Sequence, residues 1–468
     1  MSEDSAAALK EQGNSEFKAG NYQSAIAFYS RAIQAAPDVA TYYGNRSAAW
    51  LMIGQTSSQP KAFEACAKDC QSAIAIDPTF MKGYARGVKS MVNTGQFAEA
   101  EELLAKGLSA LPDNEELQAE KSSLEEVKLK VQEGEALLDK GEFSPAQRVF
   151  QEVEGRTGAW AKPKLGQARA ELGLGRAPIA LRLTLQVINA DSNNAEAYWI
   201  RGEALNRTDN VDQAKKHLQQ ALRLNPDLKQ CQAAFKRIRA IERHVEAGKE
   251  AVAKREFEEA VPCFTAAMEA DPDNAILVGK MAIERGNAYL RMKDFENAIA
   301  DCTTAIQLDN TNTAPYITRS TAHQGLQKFE EAVNDLQQAQ EIDSENPVIQ
   351  DRLKRAQVEL RKSKRVNYYA LLEVSELATE KDITKAYRKM ALQWHPDKHQ
   401  ESEEAKAKAE KIFIQMGEAQ EILTDPRKRA MYDEGADKDM IEKQLQMEKA
   451  QQEMYGGCCG GRGGGHFH

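Results

Sequence analysis

Apolar residues recur three and four positions apart along nearly the whole chain, in stretches separated by short polar turns. No stretch alternates with the period of two that a half-buried strand requires, so the pattern predicts an all-α protein. Pro37, Pro78, Pro112, Pro226 and Pro272 each follow a helical stretch, and Pro78 and Pro112 stand 34 residues apart, the spacing of a repeated helix pair. Before Pro37 the chain carries Gly13, Ala25, Tyr29 and Ala32; before Pro272 it carries Gly248, Ala260, Phe264 and Ala267 at the same offsets. These residues suit two antiparallel helices in close contact. Small side chains admit the neighbouring helix, an aromatic ring fills the space toward the next pair, and proline opens the next turn because it cannot continue a helix.

These positions resemble the tetratricopeptide repeat, and nine copies can be placed in three groups of three. The first group covers about 5–112, with Gly54 to Pro60 read as a loop inserted in its second copy. The second covers about 127–226, where Gly134, Ala146, Phe150 and then Gly202, Ala214, Ala221 and Pro226 carry the pattern; its middle copy, near Trp160 to Ser192, fits least well. The third covers about 241–345, through Gly286, Tyr289, Ala298 and Ala305 and then Tyr316, Ala332 and Ala339. Residues 113–126 and 227–240 lack glycine-rich breaks and are expected to be connecting helices. The resemblance implies an α-solenoid.

Lys10 and Asn14 lie four apart on the first helix of the first repeat and share one face; Lys82 and Arg86 do the same in the third repeat, and Asn45 sits on the helix between. First helices line the concave wall of such a solenoid, so the five side chains should converge on one groove. They resemble, residue by residue, the carboxylate clamp of repeats that grip the acidic C-terminal tail of cytosolic chaperones. A chain end presents a main-chain carboxylate beside acidic side chains, and charge-assisted hydrogen bonds to it are worth about 1.5–3 kcal/mol each. The corresponding positions of the third group are Val245, Lys249, Glu284, Ala314 and Thr318, a set that should not hold the same tail. That group is expected to bind another surface or an unfolded client, or to space the domains, and no comparable set stands out in the second group.

Residues 346–365 read as a basic linker helix with Arg361, Lys362, Lys364 and Arg365 at its end, a solvated helix or, alternatively, a nuclear-import signal. The short apolar helix Asn367 to Val374 follows. From Lys381 to Trp394, Ile383, Ala386, Tyr387, Met390 and Ala391 share one side and leave Lys381, Lys385, Arg388 and Lys389 exposed. His395, Pro396 and Asp397 end that helix, and a second long one from about Glu403 to Leu423 is closed by Asp425 and Pro426. Residues 366–435 resemble the J domain of the DnaJ co-chaperones over their whole length, Tyr432 and Asp433 included. The resemblance implies that the basic helix docks on the seventy-kilodalton heat-shock ATPase of the DnaK class and that His395, Pro396 and Asp397 trigger its ATP hydrolysis. Proline fixes the turn, which presents Asp397 as a rigid acidic point, and the cationic face steers an acidic partner.

Composition narrows the picture further. The 468 residues are 42% hydrophobic and 28% charged, with a net charge of −9, which points to a folded multi-part chain and against phosphate-neutralising nucleic-acid binding. No apolar run reaches the roughly 18 residues of a membrane span, and the opening residues lack the basic and apolar parts of a signal peptide, so a cytoplasmic protein is expected. The seven cysteines are expected to stay reduced. Cys66 and Cys70 fall on small packing positions, and His395 and His399 have no cysteine nearby, so no metal and no cofactor are expected. Residues 436–468 read as a polar helix and a glycine-rich disordered tail containing Cys458 and Cys459. No phosphate loop or nucleophile triad appears, so no enzyme is expected. The order of repeats and J domain resembles cytosolic co-chaperones that bridge the seventy- and ninety-kilodalton chaperones and assist protein folding and client transfer; the alternative is an adaptor whose J domain is inactive.

Overall fold

The computed structural model describes residues 3–399 and 401–456, and the described residues contain helices and turns but no strand. The chain divides into two compact units, one ending at Arg243 and one beginning at His244. Six helices form the first three repeats: α1 (Glu3–Lys18), α2 (Tyr22–Ala35), α3 (Ala40–Ser57), α4 (Pro60–Ile76), α5 (Met81–Thr94) and α6 (Phe97–Ala110). Six more follow: α7 (Glu115–Asp139), α8 (Phe143–Thr157), α9 (Ala161–Gly173), α10 (Ala177–Ala190), α11 (Ala195–Asn206) and α12 (Val211–Leu224). The last repeats are α13 (Lys229–Lys254), α14 (Phe257–Ala270), α15 (Ala275–Met292), α16 (Phe295–Leu308), α17 (Thr313–Gly325) and α18 (Phe329–Ile342).

Close approach explains the repeated glycine. A Cβ on Gly13 would lie 2.6 Å from the Tyr29 ring, and one on Gly248 would lie 2.6 Å from the Phe264 ring, so a larger residue would push the two helices of the pair apart. A second repeated device is polar. Arg46 pairs with Asp69 through two nitrogens at 2.7 and 2.8 Å while its third nitrogen donates to Ser30. Arg285 does the same with Asp301 and Thr265, and Arg319 with Asp335 and Thr303. Each forked pair joins the two helices of one repeat and, through the hydroxyl, the second helix of the repeat before.

The segment from Gly54 to Pro60 is not the loop expected of it. α3 continues to Ser57, Ser58 takes a left-handed φ of 49°, and Pro60 opens α4. The hydroxyls of Thr56 and Ser57 donate back to carbonyls one turn earlier, which keeps polar residues within the helix. The insertion therefore lengthens the helix pair. The middle repeat of the second group, α9 and α10, is a helix pair with Ala168, Ala170, Ala177 and Ala180 buried despite its weaker pattern.

Five helices follow α19 (Pro347–Lys364): α20 (Tyr368–Leu371), α21 (Glu380–Gln393), α22 (Glu403–Thr424), α23 (Pro426–Asp433) and α24 (Lys438–Gly456). The linker helix α19 is half-buried, since Leu353 and Ala356 cluster with Val333 and Leu336 of α18. The core of the C-terminal helices joins Tyr368, Leu372, Ile383, Met416, Ile422 and Tyr432. Ile441 of α24, only 1% exposed, belongs to the same core, and Leu445 packs against it, so the segment expected to be a polar helix is docked. Cys458, Cys459 and the glycine-rich tail lie outside the described residues.

Candidate functional sites

In the first group the two asparagines meet. Asn45 Nδ2 donates to Asn14 Oδ1 at 3.1 Å, and the Tyr29 hydroxyl donates to the same oxygen at 2.8 Å. Burial raises the Tyr29 phenol above its ordinary value, so it remains a donor. Arg86 donates to the carbonyl of Gly44 at 2.7 Å, which brings its guanidinium to the residue before Asn45. Lys10 pairs with Glu11 at 2.7 Å, and Asn14 Nδ2 also donates to Glu11, at 3.2 Å. The Lys10 hydrogen bond, followed by that of Asn14, holds the Glu11 carboxyl below its ordinary value. Lys82 is exposed and has no hydrogen-bond or ion-pair partner among the described residues. The structure thus ties Asn14, Asn45 and Arg86 to one another through α3 and leaves Lys10 and Lys82 at the solvent edge.

The third group presents a different wall. Thr318 donates to Asn287 at 2.9 Å across the same step of 31 residues that separates Asn45 from Asn14. A groove of about 700 Å³ there is lined by Glu284, Asn287 and Thr318 together with Phe257, Phe295 and Ile317. Glu284 is joined there by Arg291, Lys293 and Arg352, so the polar part of the lining is mixed in charge, and its margins are aromatic and aliphatic.

In the C-terminal helices, α21 starts on a capping box in which Thr379 and Asp382 bond reciprocally. Ile383 and Met390 turn into the core, and Lys381, Lys385, Arg388 and Lys389 are exposed with no hydrogen-bond or ion-pair partner among the described residues. Pro396 opens the 3-10 turn Pro396–Lys398. The Asp397 amide donates to His395 Nδ1 at 3.3 Å, and the Asp397 carboxylate lies 3.4 Å from the same nitrogen. His395 and Asp397 are 49% and 80% exposed, so both face solvent, while the His395 ring meets the edge of Phe413 at 5.7 Å. Trp394 stacks on His399 at 5.3 Å, and the His399 ring lies 3.1 Å from the Gln393 carbonyl, which closes the loop behind the turn.

Sequence reasoning missed Arg429 and Glu11, and it gave Tyr432 and Arg365 no supporting role. Tyr432 donates to the Val366 carbonyl and accepts from the Tyr368 amide, both at 2.9 Å, while the Arg365 guanidinium lies over its ring at 3.6 Å. Arg429 donates to the Tyr369 hydroxyl and to the carbonyls of Glu376 and Ala378, securing the loop before α21. Glu11, beside Lys10 in the sequence, was legible as a competing carboxylate. Among the described residues no group of three or more His, Cys, Asp or Glu is placed to hold a metal. Burial adds to the Cys70 hydrogen bond that pushes the Cys66 thiol upward, an environment unsuited to a thiolate ligand.

Residues 367–433 match the sequence family described as the DnaJ domain, and residues 2–40, 165–229, 245–313 and 314–346 match tetratricopeptide repeat families. The crystal structure of the P58(IPK) TPR domain shares the fold, with a TM-score of 0.51 at 19% identity over 77% of this chain and 99% of that one. A tetratricopeptide solenoid followed by a DnaJ domain defines a J-domain co-chaperone of the repeat-bearing class. The chain is 34% identical to the DnaJ homolog subfamily C member 7 homolog of Dictyostelium discoideum, over 98% of this chain and 86% of that protein. It is 32% identical to DnaJ homolog subfamily C member 7 of Mus musculus, over 93% and 86%. The chain belongs to the DnaJ homolog subfamily C member 7 family.

Proposed function

We propose that the protein stimulates the ATPase of a DnaK-class, seventy-kilodalton chaperone through α21 and the turn at His395, Pro396 and Asp397. In this reading it also holds the acidic C-terminal tail of a seventy- or ninety-kilodalton chaperone in the groove of Lys10, Asn14, Asn45, Lys82 and Arg86. The observation that carries this reading is the unpaired cationic face of α21 ending at an exposed, proline-fixed His395 and Asp397. Four cations without internal carboxylate partners favour an acidic docking surface, and the fixed turn lets Asp397 reach a partner group without first being ordered. In the groove, Lys82 is free to take a terminal carboxylate, Arg86 and the amide of Asn14 add donors, and Lys10 becomes available once Glu11 is displaced.

Client transfer fits the third group, whose groove sets Phe257, Phe295 and Ile317 beside Arg291, Lys293 and Arg352, a mixed surface for an unfolded segment. In this reading the protein works in the cytosol, where thiols such as Cys66 and Cys302 stay reduced. The test is steady-state ATP hydrolysis by the seventy-kilodalton partner with the full chain added. His395→Gln should abolish the stimulation while leaving the thermal melt unchanged. Stimulation undiminished in that variant would refute the mechanism, and absence of stimulation by the unmodified chain would favour an adaptor.

A further inference from the structure

The helix that follows the second group carries a feature the clamp and the J domain do not use. A groove of about 1090 Å³ runs along α13 beside Leu222 of α12, and its lining includes Lys229, Lys236, Arg237, Arg239 and Arg243 but no carboxylate. This stands out in a chain with 71 acidic residues against 62 basic ones. Lys229, Lys236, Arg239 and Arg243 follow one another at steps of seven, three and four, which places them on one helix face. All four are exposed, and among the described residues none has a hydrogen-bond or ion-pair partner.

Elsewhere the same unit neutralises its bases. Arg169 pairs with Glu135 at 2.9 Å, and Lys215 pairs with Glu242 of α13 itself at 2.6 Å. Arg237 reaches Glu203 at 2.5 Å. On this face Lys236, Arg239 and Arg243 stand three and four apart, an arrangement of like charges that costs a helix stability until an anion relieves it.

We propose that this face is a second docking groove, for an acidic segment of a partner protein in which carboxylates alternate with small apolar side chains. Its cations extend over about 21 Å of helix, the reach of an extended segment of about six residues. Ala233, Ala240 and the half-buried Leu222 supply shallow apolar ground between them. The Arg239 guanidinium stands over the Phe235 ring at 6.0 Å, so that ring is not an open platform for a nucleotide base. The lining also presents no exposed large apolar side chain to anchor in a lipid surface. Unlike the clamp, the groove has no need of a chain-terminal carboxylate.

That difference sets the experiment. A fluorescein-labelled peptide alternating Glu and Val, with an amidated C-terminus, is titrated with the full chain and followed by anisotropy. The unmodified protein should bind, and binding should weaken steeply between about 50 and 200 mM salt. The K236E/R239E double variant should bind about tenfold more weakly or worse, whereas Lys82→Ala should leave affinity unchanged. If the reversed variant does not fold by circular dichroism, Lys229→Gln with Arg243→Gln serves, with a loss of about threefold or more expected. The proposal falls if the unmodified chain does not bind, if a folded groove variant binds as well as the original, or if Lys82→Ala removes binding. It also falls if a single-stranded RNA or phosphatidylserine vesicles bind more tightly than the peptide through the same residues.

Discussion

Asn45 donates to Asn14 Oδ1 at 3.1 Å while Tyr29 donates to that same oxygen, so one carbonyl group on α1 fastens α1 to α2 and α3. With Oδ1 taken up by two donors, the orientation of the Asn14 amide is set by the network, and Nδ2 faces outward beside Lys10 and Glu11. The groove is therefore ordered before any ligand arrives, which lowers the entropic cost of binding a flexible tail.

Lys82→Ala removes a free cation from that groove without touching its internal bonds. Affinity for a peptide with the acidic chaperone tail should fall by about tenfold to a hundredfold, the equivalent of about 1.5–3 kcal/mol, in isothermal titration calorimetry. Glu11→Gln should act oppositely and tighten binding, because Lys10 no longer has a competing carboxylate. Equal affinity of all three proteins would remove the tail from this groove.

The forked pairs of Arg285 with Asp301 and Arg319 with Asp335 predict stability effects in the third group. Asp301→Ala leaves a largely buried guanidinium with only Thr265 as partner, a loss of about 3 kcal/mol. Asp301→Asn keeps one acceptor and should lose less. Hydrogen exchange of α15 and α16 measures the difference, and unchanged protection in Asp301→Ala would show that the pair contributes nothing to stability.

The offsets of Gly13 and Tyr29, and of Gly248 and Phe264, were legible because close approach and ring filling leave few alternatives in side-chain size. The turn at His395, Pro396 and Asp397 was legible for a similar reason, since proline specifies local geometry by itself. The segment from Gly54 to Pro60 misled because its glycine, serines and proline have the composition of a loop, whereas Gly54 packs against the Phe63 ring and the hydroxyls of Thr56 and Ser57 bond within the helix. The docking of α24 was hidden for another reason. Ile441 and Leu445 stand four apart in a mostly polar stretch, and the core they enter is assembled from residues far earlier in the chain.

His323 predicts a dependence on pH. Its side chain is 13% exposed, and burial lowers its pKa from the ordinary value near 6.5. Asp335 lies 3.8 Å away but is engaged by Arg319 at 2.7 Å, and Lys328 and Glu331 oppose one another, so the neighbours do not offset burial. The unfolded chain takes up the proton first as pH falls. Stability of the third group should therefore be unaffected by His323 above about pH 6.5 and decline below it. His323→Gln should flatten that decline in hydrogen exchange of α17, corrected for the intrinsic rate at each pH; an identical pH profile in both proteins would sink the assignment.

Two kinds of contact hold α24, and they differ in expected weight. Lys438 pairs with Glu418 at 2.8 Å and Arg427 with Glu448, but the groups keep contact with water, where such pairs contribute at most about 1 kcal/mol. Ile441 is 1% exposed within the core shared by Met416, Ile422 and Tyr432, and truncating such a side chain costs about 2–5 kcal/mol. Ile441→Ala should accordingly reduce hydrogen-exchange protection across α22 and α23 of the full chain far more than Glu448→Gln does. Because Tyr432 positions both Tyr368 and the Val366 carbonyl, loosening its neighbour should also raise exchange at the start of α20. A larger effect from Glu448→Gln would mean that charge rather than burial holds the helix, and protection unchanged in Ile441→Ala would detach α24 from the core altogether.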